Sequence, residues 1–142
     1  SVVVAAKEEH RQPAMSAAEY LVDQGKNVEI LSDLFFAGSL LEPNTMESLY
    51  ARLLSKGVKF TPITAVKKVE GDSVVVYNTF TRSENRIAKV DALVVSEPAS
   101  ADNRLYTELQ GRVAEIHTIG ERVAPRNVNR AMRDGGLVGL AL

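Results

Sequence analysis

The residues best suited to chemistry lie in the last quarter of the chain. The apolar segment 116–119 runs into Gly120 and Glu121, and a glycine-bearing helix follows. In such an arrangement the acid accepts a hydrogen bond from a ribityl hydroxyl, and the N–H groups at the helix start bind pyrophosphate. The pattern predicts a flavin or nucleotide site. It is an altered one, because Glu121 is one methylene longer than the aspartate that such a site normally uses.

The predicted cofactor contacts include residues outside this turn. Asp33 follows the second predicted strand, where a ribose-binding acid would stand, and a loop acid in solvent is the alternative. Arg126, like Arg122, either contacts phosphate or flanks a turn. Val128 shares a helix face with glycines that either permit close helix–sheet packing or admit a flavin. The full predicted set is Gly120, Glu121, Arg126, Val128 and Asp33.

No catalytic residue and no metal ligand are predicted. His10 and His117 belong to no catalytic motif, and the chain contains no G-x-S-x-G, HExxH or P-loop sequence. The absence of cysteine excludes a disulfide framework, a thiolate zinc site and an iron–sulfur cluster held by this chain. Any electron chemistry must therefore come from a bound organic cofactor or from another polypeptide.

Composition limits the class of protein and its partners. The chain has 142 residues, of which 45% are hydrophobic and 25% charged, so it can bury one ordinary globular core. The net charge of −1, with mixed signs, gives no electrostatic reason to bind nucleic acid or an anionic membrane. No apolar run approaches the roughly 20 residues that span a bilayer. We therefore expect a soluble, cytoplasmic protein.

The first sixty residues alternate between apolar strands and amphipathic helices. The valine-rich run at 1–6 predicts a central parallel strand that is buried on both faces, and two further strands are predicted at 27–31 and 58–60. Pro13 marks the start of the first helix, and Asn44 caps the second, with Glu47 completing a capping box. The β-α-β-α-β order predicts right-handed crossovers in one parallel sheet.

Strands without helical periodicity follow. They are predicted at 65–70, 73–78, 86–90 and 92–96, and Gly71-Asp72 forms a two-residue hairpin turn. The last of these strands returns to the parallel sheet. The prediction is therefore an α/β, Rossmann-like three-layer β-β-α sandwich with a central parallel sheet and an antiparallel β-meander. After a break at 98–103 come a short helix at 104–110, a strand at 116–119 and a helix at 127–142.

Several segments together carry a resemblance to a known family. They are 17–21 with Gly25 and 28–31; 41–45 with 49–54; 74–81; and 115–117 with 119–120 and 123–126. With these segments the chain resembles the C-terminal region of the 2,4-dienoyl-CoA reductase and trimethylamine dehydrogenase class of old-yellow-enzyme relatives, which includes N-methyl amine demethylases.

The resemblance implies a domain organisation. Residues 1–97 would be an NAD(P)H-binding-like domain, and 98–142 the strand–helix return of the FAD-type host domain into which it is inserted. The longer parent would be an NADH:flavin oxidoreductase or an amine dehydrogenase or demethylase. Its FMN and iron–sulfur barrel domain and the glycine-rich turn of its FAD domain would lie upstream. FAD, or ADP or NAD(P)H, would be bound in the parent, while this chain alone would not be catalytic.

The chain also departs from the dinucleotide-binding pattern. The turn after the first strand, residues 7–12, contains two glutamates and no glycine, so it would repel phosphate instead of binding it. Glu97-Pro98 stands where the relatives tend to carry a close backbone approach to the nucleotide. A second hypothesis is therefore a degenerate Rossmann-like module without ligand, serving scaffolding or oligomer assembly. In either case the helix 127–142 would fold back on the sheet, with 116–119 as an added strand, or pack against a second copy.

We predict that the isolated chain is colourless and binds no flavin tightly, because an FAD site of this class needs the upstream glycine-rich turn. Adenine nucleotides should bind weakly. Visible absorbance of the purified protein checks this prediction. A yellow preparation with stoichiometric flavin would contradict it.

Overall fold

Strands and helices alternate at the start of the chain, and strands alone follow. The computed structural model describes residues 1–7, 12–39, 41–97, 100–125 and 128–142. Along these residues run β1 (Val2–Ala6), α1 (Pro13–Asp23), β2 (Val28–Ser32), α2 (Pro43–Ser55), β3 (Lys59–Thr61), β4 (Thr64–Glu70), β5 (Ser73–Asn78), β6 (Glu84–Ile87), β7 (Ala92–Ser96), α3 (Arg104–Leu109) and α4 (Val128–Ala141). The chain divides into two compact units, Ser1–Glu97 and Pro98–Leu142. We refer to them as unit 1 and unit 2.

A parallel sheet forms the centre of unit 1. Its strand order is β3-β2-β1-β7, so β1 lies inside the sheet with a parallel partner on each side. Val4 is level with Ile30 on β2 and with Val94 on β7. Parallel strands that are covered on both faces consist of continuous apolar residues, which is why β1 carries valines without alternation.

Unit 1 has three layers because both faces of this sheet are buried. Val4 and Ile30 pack with Met15 of α1 and Leu53 of α2 in the core on the helix side. The adjacent residues on the same strands point the other way, and Val3 packs in a second core with residues of the antiparallel sheet. The predicted α/β, Rossmann-like β-β-α sandwich is therefore confirmed.

The predicted meander is a separate antiparallel sheet with strand order β4-β5-β6. Gly71 begins the β4–β5 turn with φ of +60°, a conformation that a hairpin turn requires and that glycine adopts without strain. The third strand was predicted at 86–90, and this was wrong: β6 spans Glu84–Ile87. Lys89 has a left-handed backbone, and the Val90 N–H donates to the carbonyl of Asp72, so the chain leaves the ladder before residue 90.

Two further local predictions were wrong. α2 begins at Pro43 without a side-chain cap, so Asn44 does not cap it and Glu47 completes no capping box. Proline is already set for the first helical turn, which explains the earlier start. Residues 116–119 form no strand; Ile119 is extended, but within the described part of unit 2 no segment pairs with it in a ladder.

Unit 2 contains α3, α4 and a short 3-10 turn, Gly120–Arg122. The large apolar residues of α4 are exposed: Val128, Met132, Leu137 and Leu140. Among the described residues, no helix has the length and apolar character that crossing a bilayer requires.

An ion-pair cluster joins the two helices of unit 1. The Arg52 guanidinium donates to both carboxylate oxygens of Glu19, at 2.7 Å from Nε and 3.1 Å from Nη2. Lys56 Nζ lies 3.3 Å from the same carboxylate and 2.7 Å from that of Asp23. The hydrogen bond from Arg52, assisted by Lys56, lowers the pKa of Glu19 from 4.5 to about 2.

We predict that this cluster contributes to acid unfolding. A carboxylate whose pKa is lowered by folding stabilises the native state above its ordinary pKa of 4.5, and this contribution is lost as the pH falls toward about 2. Urea unfolding of Glu19→Gln should therefore show a stability deficit near neutral pH that shrinks across this window. The control is Glu47→Gln, because Glu47 makes no ion pair with the described residues. A deficit for Glu19→Gln that does not change with pH would contradict the prediction.

Candidate functional site

The candidate site is a pocket of about 510 Å³ in unit 1. It lies at the carboxyl ends of the parallel strands and is bounded on the other side by the antiparallel sheet. β1 contributes Ala6 and β7 contributes Val95, while Lys7, Asp33 and Glu97 directly follow β1, β2 and β7. The antiparallel sheet and its turns contribute Thr64, Val66, Tyr77, Thr79 and Arg82.

This edge contains the point where the strand order reverses. From β1 the chain continues to β2 on one side, whereas β7 pairs with β1 on the other side. Open α/β sheets bind ligands in the crevice that such a reversal leaves at the carboxyl ends of the strands. Lys7 and Glu97 flank the crevice, with Lys7 Nζ 3.3 Å from Glu97 Oε1. Their charges are therefore largely balanced against each other.

Asp33 is the predicted site residue that lies in this pocket. Its side chain is half-buried and lines the pocket. Its Oδ1 atom is fully buried and has no hydrogen-bond partner among the described residues. A buried carboxylate oxygen without a donor is unfavourable. Because the side chain is only half-buried, the rest of the carboxylate can accept a hydrogen bond from a hydroxyl group of a ligand in the pocket.

The loops beside Asp33 are fastened to each other. Ile63 donates its N–H to the Leu34 carbonyl at 2.8 Å and accepts the N–H of Thr79 at 3.0 Å. Ile63 has φ of +53°, which is strained for a β-branched residue. On the helix side, Tyr50 Oη donates to the Ala37 carbonyl at 3.0 Å. The loop that carries Asp33 is therefore held from both sides, and strain of this kind is concentrated at functional sites.

Arg82 is a pocket residue that the sequence prediction missed. It lies in the turn between β5 and β6, with φ of +61°, and its Cζ is 5.6 Å from the centre of the Tyr77 ring. Nothing in the local sequence marks this arginine, because only the packing of the antiparallel sheet on the parallel one brings the turn to the pocket.

The remaining predicted residues belong to unit 2. Gly120 opens the 3-10 turn with φ of +65°, and a Cβ there would lie 3.5 Å from Ala131 Cβ, so the turn lies against α4. Glu121 follows in the same turn, and Val128 is the exposed first residue of α4. Arg126 lies outside the described residues. Asp33 belongs to the other unit.

Other sequence candidates have ordinary surroundings. Arg122 Cζ lies 4.3 Å from the centre of the Tyr106 ring. His117 Nε2 lies 2.6 Å from Glu115 Oε1 on the surface, whereas His10 lies outside the described residues. Within the described ranges, no group of three or more acidic or histidine side chains could hold a metal ion.

The glycines of α4 show little close packing. A Cβ at Gly135 would lie 3.9 Å from Ile119 Cδ1, whereas one at Gly139 would meet nothing within 4 Å among the described residues.

The chain is similar to parts of known dehydrogenases and reductases. No protein-family model matches the chain. It is 36% identical over 101 residues, 68% of its length, to an N,N-dimethylglycine/sarcosine dehydrogenase of Chromohalobacter salexigens. It is 28% identical over 112 residues, 79% of its length, to a metal reductase of Desulforamulus reducens. The structure of histamine dehydrogenase from Rhizobium sp. 4-9 matches 99% of the chain with a TM-score of 0.86 at 20% identity.

The chain is small relative to these proteins. It spans 14% and 16% of the two curated relatives and 23% of the histamine dehydrogenase chain. Its fold is that of a Rossmann-like domain of oxidoreductases. The resemblance inferred from the sequence is confirmed: the chain is similar to the C-terminal nucleotide-binding region of the 2,4-dienoyl-CoA reductase and trimethylamine dehydrogenase class.

We predict that Asp33→Asn stabilises the ligand-free chain. Replacing a half-buried carboxylate, one oxygen of which lacks a donor among the described residues, by a neutral amide should raise the free energy of unfolding by about 1 kcal/mol. Urea unfolding at neutral pH measures the change, with Asp72→Asn in the exposed β4–β5 turn as control. A loss of stability in Asp33→Asn alone would show that the carboxylate has a stabilising role in the ligand-free protein.

Proposed function

We propose that the chain is a nucleotide-binding domain of a cytoplasmic, flavin-dependent oxidoreductase, and that unit 1 binds an adenine dinucleotide such as NADH in the pocket described above. The observation that carries this proposal is the position of Asp33, which follows β2 and lines the pocket at the carboxyl edge of the parallel sheet. A ribose hydroxyl donates to an acid at this position in dinucleotide-binding folds.

The size and place of the pocket support the proposal. Small-molecule sites commonly have volumes of roughly 300–1,000 Å³ and lie where the strand order of an α/β sheet reverses. The pocket of about 510 Å³ meets both conditions. The names of the relatives, a dehydrogenase and a reductase, agree with an oxidoreductase.

The turn after β1, residues 7–12, limits the affinity of the pocket for a nucleotide. Residues 7–12 contain no glycine to bring the backbone close to pyrophosphate, and Glu8 and Glu9 add negative charge. Glu8 and Glu9 lie outside the described residues. Lys7 Nζ forms an ion pair with Glu97 Oε1 at 3.3 Å. The isolated chain should therefore bind the nucleotide through its adenosine part and with modest affinity.

We further propose that unit 2 contributes to a flavin site completed by the parent protein. Gly120, Glu121, Arg126 and Val128 would contact FAD there, and the exposed apolar side of α4 would pack on the FAD-type host domain. An FMN and iron–sulfur barrel domain would be the further partner. The parent would be an NADH:flavin oxidoreductase or an amine dehydrogenase or demethylase, and the catalysis would take place in its barrel.

The competing hypothesis is a ligand-free module for scaffolding or assembly. It is based on the acidic first turn and the exposed side of α4. A scaffold, however, needs no pocket at the carboxyl edge of the parallel sheet with an acid and an arginine in its lining. The lining of the pocket therefore favours nucleotide binding.

Titration of the full chain with ADP, NADH and NADPH, followed by NMR, tests the function. We expect ADP and NADH to bind, and Asp33→Asn to weaken both by about tenfold through loss of a charged hydrogen bond. The affinity for NADPH relative to NADH measures whether the pocket admits a 2′-phosphate beside Asp33. Asp72→Asn is the control. Absence of shifts with every nucleotide at millimolar concentration would refute nucleotide binding and favour the scaffold.

A further inference from the structure

The lining of the pocket includes an arginine as well as the acid. Arg82 lines it from the β5–β6 turn, whereas Asp33 lines it from the end of β2. We propose that Arg82 binds a phosphate group of the nucleotide and so replaces the anion-binding role of the missing glycine-rich turn. This inference depends on the proposed function, since it assigns a second contact to the same ligand.

The first argument is charge balance. Most cations of unit 1 have a carboxylate partner: Lys7, Arg52, Lys56, Lys59, Lys67, Lys68 and Arg86. Arg82 forms no ion pair with any residue that the structure describes, and its recorded neighbour is the Tyr77 ring. Among the described pocket residues it is therefore the cation without a carboxylate partner, because Lys7 is paired with Glu97.

The second argument is that the Arg82 turn is held in place. Asn78 Oδ1 accepts the N–H groups of Phe80 at 3.0 Å and Thr81 at 2.9 Å, and the Asn78 carbonyl accepts the Arg82 N–H at 2.9 Å. These hydrogen bonds hold Arg82 in a left-handed backbone conformation, with φ of +61°, that is unfavourable for a residue with a side chain. The turn thus fixes the start of a long side chain, which reduces the entropy lost when its guanidinium binds a ligand.

The chemistry of the two groups selects the ligand. A guanidinium presents paired N–H donors that match phosphate oxygens, and Arg–phosphate contacts are stronger than neutral hydrogen bonds. The Asp33 carboxylate accepts from sugar hydroxyls but repels phosphate. Together they select a phosphorylated nucleoside, with its sugar at Asp33 and a phosphate at Arg82. That phosphate is either the 5′-diphosphate or a 2′-phosphate.

NMR titrations of the full chain with adenosine, ADP and 2′-AMP test the proposal. For wild type we expect at least one of the two phosphorylated ligands to bind about tenfold more tightly than adenosine. Arg82→Gln should reduce its affinity to that of adenosine and leave the adenosine affinity unchanged. Loss confined to ADP identifies the 5′-diphosphate, and loss confined to 2′-AMP identifies the 2′-phosphate. Arg82→Lys, which keeps the charge, should fall between wild type and Arg82→Gln.

Lys89→Gln is the matched control. Lys89 is also an exposed cation with a left-handed backbone, at φ of +59°, and it lies in the connection from β6 to β7. It does not line the pocket. Its substitution should leave all three affinities unchanged. Equal phosphate-dependent affinity in wild type and Arg82→Gln would overturn the role of Arg82 and leave nucleotide binding intact. Failure of wild type to bind any of the three ligands would overturn both proposals.

Discussion

Burial of both faces of β1 is the constraint on which the rest of the structure depends. Val3 and Val4 point to opposite sides of the parallel sheet, and both are fully buried. Val4 needs the helices α1 and α2 on one side, and Val3 needs the antiparallel sheet on the other. The meander is therefore part of the core and not an appendage. Because it covers the sheet up to its carboxyl edge, it also forms one wall of the pocket.

The same packing explains why the pocket combines groups that are distant in sequence. Asp33 follows a parallel strand and Arg82 follows an antiparallel one, and Ile63 joins the two systems through hydrogen bonds to Leu34 and Thr79. The strained backbone of Ile63 persists because these bonds hold it from both sides. The segments that carry Asp33 and Arg82 are thus connected by local hydrogen bonds.

Most of the fold, but little of the candidate site, could be predicted from periodicity in the sequence. Continuous valine runs, proline at a helix start and a glycine-containing turn are local signals, and they correctly predicted β1, α1 and the β4–β5 hairpin. The predicted strand at 116–119 was wrong because an apolar segment becomes a strand only beside a partner, which local sequence does not report. Asp33 was predicted from its position after β2. Its unpartnered oxygen and the contribution of Arg82 arise from tertiary packing, so no window of sequence contains them.

The charges around the pocket differ in arrangement from the usual dinucleotide site. Such a site places its positive potential at the first turn, through glycine backbone and a helix N-terminus. Here that turn carries two glutamates and no glycine, and its Lys7 is ion-paired with Glu97. Among the described pocket residues, the cation without an ion pair is Arg82, on the wall that the antiparallel sheet supplies. In the proposed function, the phosphate would therefore lie across the pocket from the first turn, at Arg82, while the acid that follows β2 would hold the sugar.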